Sequence, residues 1–201
     1  MGLFNKVSGA QESTPESYLD SGTTLIKRLT QSLPLPDWRN GPPGYTEGEN
    51  EAIDFSLSQF QRIGDEVARE RGGDKMAIHP NHVEDIRRML TEQGLRRLAD
   101  GAWRFGDKLP EDWKENLSTY LKAWLCGLNP MVLLDVADLL VHAGRNAEAS
   151  EAIETVRLFP AYAHSRGSKG AFSAEIVEQV MVRAEELRKD IQLGGPSGWR
   201  G

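Results

Sequence analysis

The chain has 201 residues, 39% of them hydrophobic and 27% charged, with a net charge of −6. That length can bury one substantial core, or one core with a tail, and the composition is that of a soluble globular protein. No apolar run approaches the roughly 20 residues that a membrane-crossing helix needs, so no transmembrane segment is expected.

The first twelve residues are small and polar. They carry no long apolar core, so no secretory signal is expected, and Lys6 stands where a myristoylation signal at Gly2 requires Ser or Thr. Thr14-Pro15-Glu16 then supplies a helix start, an oxygen cap followed by proline at the first helical position. Tyr18, Leu19, Gly22, Leu25, Ile26, Leu29 and Leu33 recur at helical spacing and predict a helix from Pro15 to about Ser32. Pro34, Pro36 and the Asn40–Gly44 stretch end it and make an extended connector, so residues 1–45 read as an N-terminal arm. The connector holds Leu33, Leu35 and Trp38 in a segment too short to bury them. Either they fold back onto the helical body or the arm docks on another subunit.

From Thr46 to about Arg71 a helix carries Ile53, Leu57, Phe60, Ile63 and Val67 on one stripe and ends at Gly72-Gly73. After the His79-Pro80-Asn81 turn a second helix carries Val83, Ile86, Met89 and Leu90, and continues past a break expected at Gly94 to Leu95 and Leu98. A third opens at Pro110 with Trp113, Leu117, Tyr120, Leu121, Trp124 and Leu128 on its face. Cys126, the single cysteine, lies near the end of that helix. It excludes an internal disulfide and fits a reducing, cytoplasmic setting, and the helix dipole there disfavours a reactive thiolate. The last helix runs from Ser173 to about Gln192 with Ile176, Val177, Val180, Met181, Ala184, Leu187 and Ile191 inward, followed by a loose tail from Gly194. Nowhere does an apolar–polar alternation of strand length appear, so the chain is expected to be all-α.

Between Pro130 and Pro160 lies the most informative pattern. Two short amphipathic segments are broken at Gly144-Arg145-Asn146 and stopped by Pro160, with Leu133, Val136, Ala137, Leu140, Ala149, Ile153 and Val156 where two antiparallel helices must touch. Ala137 and Ala149 are small where backbones must approach, and Gly144 suits a left-handed turn. This spacing resembles one tetratricopeptide (TPR) unit, although Leu133 and Leu140 stand where that family often has aromatics and the proline comes one residue early. No second copy follows at a period of about 34 residues. The hairpin is therefore expected either as one repeat-like unit or as part of an irregular bundle. The resemblance implies a noncatalytic binding surface.

Candidate chemistry is sparse. His79 and His82 with Asp85 resemble a metal site, but Pro80 between the histidines points to a turn in which Asn81 caps the following helix. The basic Ser165–Gly170 loop lacks the spacing and preceding strand of a phosphate-binding loop. Arg87-Arg88 and Arg96-Arg97 sit among acidic residues and read as solvated ion pairs. Trp103, Trp113 and Trp124 are expected in the core, whereas Trp38 and Trp199 lie in Pro- or Gly-rich segments where an aromatic can serve as a contact.

The sequence thus predicts an N-terminal arm (1–45), a helical domain (46–193) and a tail (194–201). The expected function is a noncatalytic protein–protein interaction module, an adaptor, assembly factor or accessory subunit, with Trp38, Leu133, Leu140 and Trp199 as partner contacts. No cofactor is expected. Its partner is another protein rather than nucleic acid, since no segment forms the basic block that phosphate binding requires. The alternatives are a helical metal protein or enzyme using His79 and His82, and a small-molecule-binding regulator.

Overall fold

The protein is all-α: among the described residues there are eight α-helices, one 3-10 turn and no strand. The structure, a computed structural model, describes residues 14–36, 38, 44–103, 109, 111–166 and 173–193. In chain order the helices are α1 (Pro15–Ser32), α2 (Glu47–Glu70), α3 (Val83–Trp103), α4 (Trp113–Gly127), α5 (Pro130–His142), α6 (Asn146–Val156), α7 (Phe159–Ser165) and α8 (Ala174–Gln192). Among the described residues no helix is long and apolar enough to cross a membrane.

Their ends follow local chemistry. Thr46 caps α2 through a reciprocal pair: its Oγ1 accepts from Glu49 N at 3.2 Å and its N donates to Glu49 Oε2 at 2.9 Å. Gly72 takes the left-handed conformation after α2 (φ 84°), and Gly144 does the same between α5 and α6 (φ 71°). Leu128 closes α4 with φ 55°, unusual for a leucine; its carbonyl accepts from the Tyr18 hydroxyl at 2.9 Å.

Three local expectations change. His79, not Asn81, caps the turn before α3: its Nδ1 accepts from Asn81 N at 3.3 Å, and Pro80–His82 forms the 3-10 turn. The break expected at Gly94 is absent. α3 runs straight through it, and the glycine instead admits the α2 backbone, since a Cβ there would lie 2.8 Å from the Ala52 carbonyl oxygen. Pro160, expected to stop the hairpin's second helix, sits instead in the first turn of α7, where a proline costs no hydrogen bond; α6 has already ended at Val156.

α4 is central. All nine of its residues from Asn116 to Trp124 are buried, polar ones included. Each buried polar group finds a partner on a different element: Asn116 Nδ2 donates to Ala99 O (3.5 Å), Ser118 Oγ to Pro36 O (3.1 Å), and Thr119 Oγ1 and Lys122 Nζ to Glu49. These bonds let one helix be enclosed all round without orphaned donors. α5 is buried almost as fully and packs on α4, α6 and α8.

The arm is part of this body. α1 lies on α6 and α7, with Tyr18, Leu25 and Leu29 wholly buried and Ser21 Oγ 3.0 Å from Thr155 Oγ1. An Arg28–Glu151 ion pair also joins α1 to α6. Tyr18 packs edgewise against Trp124 and Phe159 and at a tilt against Tyr162, and its hydroxyl accepts from Trp124 Nε1 at 2.9 Å. Leu33 and Leu35 are buried, and Trp38 is half-buried against the same core. The connector thus folds back rather than reaching out. Trp113 also packs on the core, while the side chain of Trp103 lies outside the described residues.

Candidate interaction surfaces

Leu133 and Leu140, expected as partner contacts, are 0% exposed. Their side chains fill the core between α5 and its neighbours, so neither is presented to a partner with all eight helices seated. The reason is geometric: the apolar positions of α5 and α6 that a groove would offer are already covered, by α1 from one direction and by α8 from another. Trp38 keeps only a partial exposure, and Trp199 lies outside the described residues. Ala137, Ala149 and Ile153 are buried as the close crossing of α5 and α6 requires.

A buried ionic junction joins α3, α5 and α8. Asp135 on α5 is 0% exposed; its Oδ2 accepts from Arg96 Nε on α3 at 2.7 Å and its Oδ1 from Arg183 Nη2 on α8 at 2.9 Å. Arg183 also lies 3.9 Å from Asp138 Oδ2, and Asp138 in turn faces His142 Nδ1 at 3.3 Å. Arg96, expected as a solvated residue, therefore reaches inside, and Arg88 donates to the Cys126 carbonyl at the end of α4 (3.1 Å). Next to this junction Glu92 is buried with its Oε1 accepting from Asn129 Nδ2 at 2.7 Å. Burial pushes its carboxyl above the ordinary range, with the Asn129 bond and the Arg96 charge opposing and the Asp135 charge adding.

The second ionic site is Glu49–Lys122, both about 3% exposed, with Nζ 2.7 Å from Oε2 and 3.0 Å from Oε1. Burial alone would raise the Glu49 carboxyl, but the bonds from Lys122, Thr46 and Thr119 outweigh it and hold it below the ordinary value. Neither residue stood out in the sequence. The Thr46-x-x-Glu49 capping pattern was the available signal for one of them.

Among the described residues, the most open part is the outer half of the α2–α3 pair. The 71–79 turn sends α3 back along α2, with Met76 folded over Gly64. From Leu57 to Met89 no side chain is buried, because α4 ends near Cys126 and offers nothing to pack on beyond Arg88. The helical stripe continues regardless. Ile63 and Val67 on α2 are 53% and 41% exposed, and Val83 and Met89 on α3 are 41% and 40% exposed; Phe55, at 54%, stands at the base of this segment. These apolar groups are where a stripe expected to face a core has no core to face.

The other candidates are plain. The His79 and His82 rings lie 5.7 Å apart at the tip of this hairpin, and Asp85 is exposed on α3. Among the described residues no three His, Cys, Asp or Glu side chains are grouped to hold a metal ion. Burial raises the Cys126 thiol above its ordinary value, partly offset by a bond with the Tyr45 hydroxyl 3.3 Å away and by the Arg88 charge. Most of the Ser165–Gly170 loop lies outside the described residues. Compared with known protein families, curated proteins and solved structures, the chain matches none of them.

Proposed function

We propose that this protein is a noncatalytic protein–protein interaction module, acting as an adaptor, assembly factor or accessory subunit in the cytoplasm, with the α5–α6 hairpin serving as a single TPR-like unit of its scaffold. The observation that carries this reading is the outer α2–α3 hairpin, which extends half-exposed aliphatic groups at Ile63, Val67 and Val83 beyond the end of α4. Apolar side chains left open at the far end of an otherwise satisfied helical pair mark contact surfaces more often than chemistry. The expected contacts shift accordingly, from Leu133 and Leu140 in the core to this hairpin, with Trp38 kept as a separate, half-buried candidate packed on the main core.

A photo-crosslinking amino acid at position 63 or 67 tests this in the native cell, with one at exposed Arg157, just past the end of α6, as control. A single adduct mass at 63 and 67, missing at 157, is expected. Equal scatter of adducts at all three positions would contradict it.

A further inference from the structure

We propose that the α5–α6 face beneath α8 is a helix-binding groove, occupied in this structure by the chain's own last helix. The partner it admits is an amphipathic helix repeating α8's pattern: an aliphatic residue, arginine three positions on, alanine next and leucine three beyond. The proposal shares with the preceding section only the class of function, and it concerns a different surface.

Two independent features of α8 point to this. The first is how few of its residues are fully buried. Over 19 residues it buries only Val180, Ala184 and Leu187, and it packs chiefly on α5 and α6 with a lighter contact to α7. Elements with few buried contacts open at the low end of a protein's stability range.

The second is charge. Asp135 is wholly buried on α5, one of its oxygens held by Arg96 from within the body and the other by Arg183 from α8. Asp138 lies one turn further along the same face, 3.9 Å from Arg183. Two carboxylates flanked by apolar groups select a guanidinium, whose planar donors can reach both, over a lysine or a neutral side chain. A helix without that arginine would seal the face while depriving Asp135 of a charge-assisted bond, a penalty that builds specificity into the groove. The register is fixed on either side by Val180 and by Ala184-x-x-Leu187. α8 is thus a template for its own competitor, and seating it in cis keeps the groove closed until a better-matched helix arrives.

The test uses a fluorescent peptide of residues 173–193 and the full-length chain, in which Val180→Asp and Leu187→Asp unseat the resident helix without touching the groove. Saturable binding to this variant is expected, at least tenfold weaker binding to the wild-type chain, and at least tenfold loss when the peptide carries Arg183→Glu. No saturable binding to a variant that still melts cooperatively, or binding indifferent to Arg183→Glu, would overturn the proposal. Should the variant not fold, hydrogen exchange on the unaltered chain decides. Amides of α8 are expected to open while α4 and α5 stay protected, and equal protection of α8 and α5 overturns it. Mixed labelled wild-type chains that trade α8 in a stable dimer would assign the groove to a second copy and overturn the foreign helix. Peptide binding is independent of crosslinking at positions 63 and 67, so failure of one leaves the other standing.

Discussion

At the scale of single residues, the fold depends on a few polar groups that sit where apolar ones are the rule. Lys122→Met leaves the Glu49 carboxylate buried without its cation, a change that typically costs about 3–5 kcal/mol. Adding Glu49→Gln should recover much of that loss, read as a higher urea midpoint for the double variant than for Lys122→Met alone. Because the folded state holds the Glu49 carboxyl below its ordinary value, its contribution is present above that value and disappears as pH falls through the lowered one. Glu92 works in the opposite direction. Its carboxyl is raised by burial, so folding loses stability as pH climbs from the ordinary carboxylate range through the raised value. Glu92→Gln is therefore expected to melt above wild type at neutral pH, with the gap closing below the ordinary glutamate range; an unchanged gap across that range would disprove the assignment. Gly22 is a packing residue: a Cβ there would overlap the Trp124 ring. Gly22→Ala should destabilise by about 1–3 kcal/mol through overpacking, whereas Gly48→Ala, with open space around it, should stabilise by about 0.5–1 kcal/mol. Denaturant titration of both variants checks the contrast.

At the scale of helices, the periodicity of apolar residues located nearly every element, and the Pro15–Ser32 helix was legible because its cap, its proline and its stripe agree. The α5–α6 pair was legible for the same reason: Gly144 and the two small residues at the crossing leave one geometry. α7 was missed because seven residues carry too little periodicity, and a proline that looked like a stop was a start. The candidate site was less legible than the fold. Leu133 and Leu140 look alike whether they line a groove or fill a core, since periodicity gives a helix's apolar face but not what covers it. The α2 stripe shows the converse: Ile53 is buried while Ile63 and Val67, on the same stripe, are open, because the difference lies in where α4 ends. This also fixes what truncation does. Removing residues 1–45 takes Tyr18, Leu25 and Leu29 out of the core, so the shortened chain is expected to lose cooperative melting rather than merely a docking arm. Circular dichroism across a thermal ramp reads that directly.

At the scale of the whole molecule, a closed body built on α4 and α5 supports an outer hairpin that contributes little to it. Surface substitutions away from buried partners usually change stability by no more than about 0.5 kcal/mol, so Ile63→Glu with Val67→Glu should leave the melting temperature nearly unchanged while abolishing an apolar contact with a partner. That separation of folding from binding makes the interaction reading testable with one measurement: an affinity pull-down from the native cell using full-length wild type and the Ile63→Glu/Val67→Glu variant at matched concentration. The account predicts a partner recovered in stoichiometric amount with wild type and lost with the equally stable variant. Recovery of the same partner by both, or of none by wild type, would contradict it.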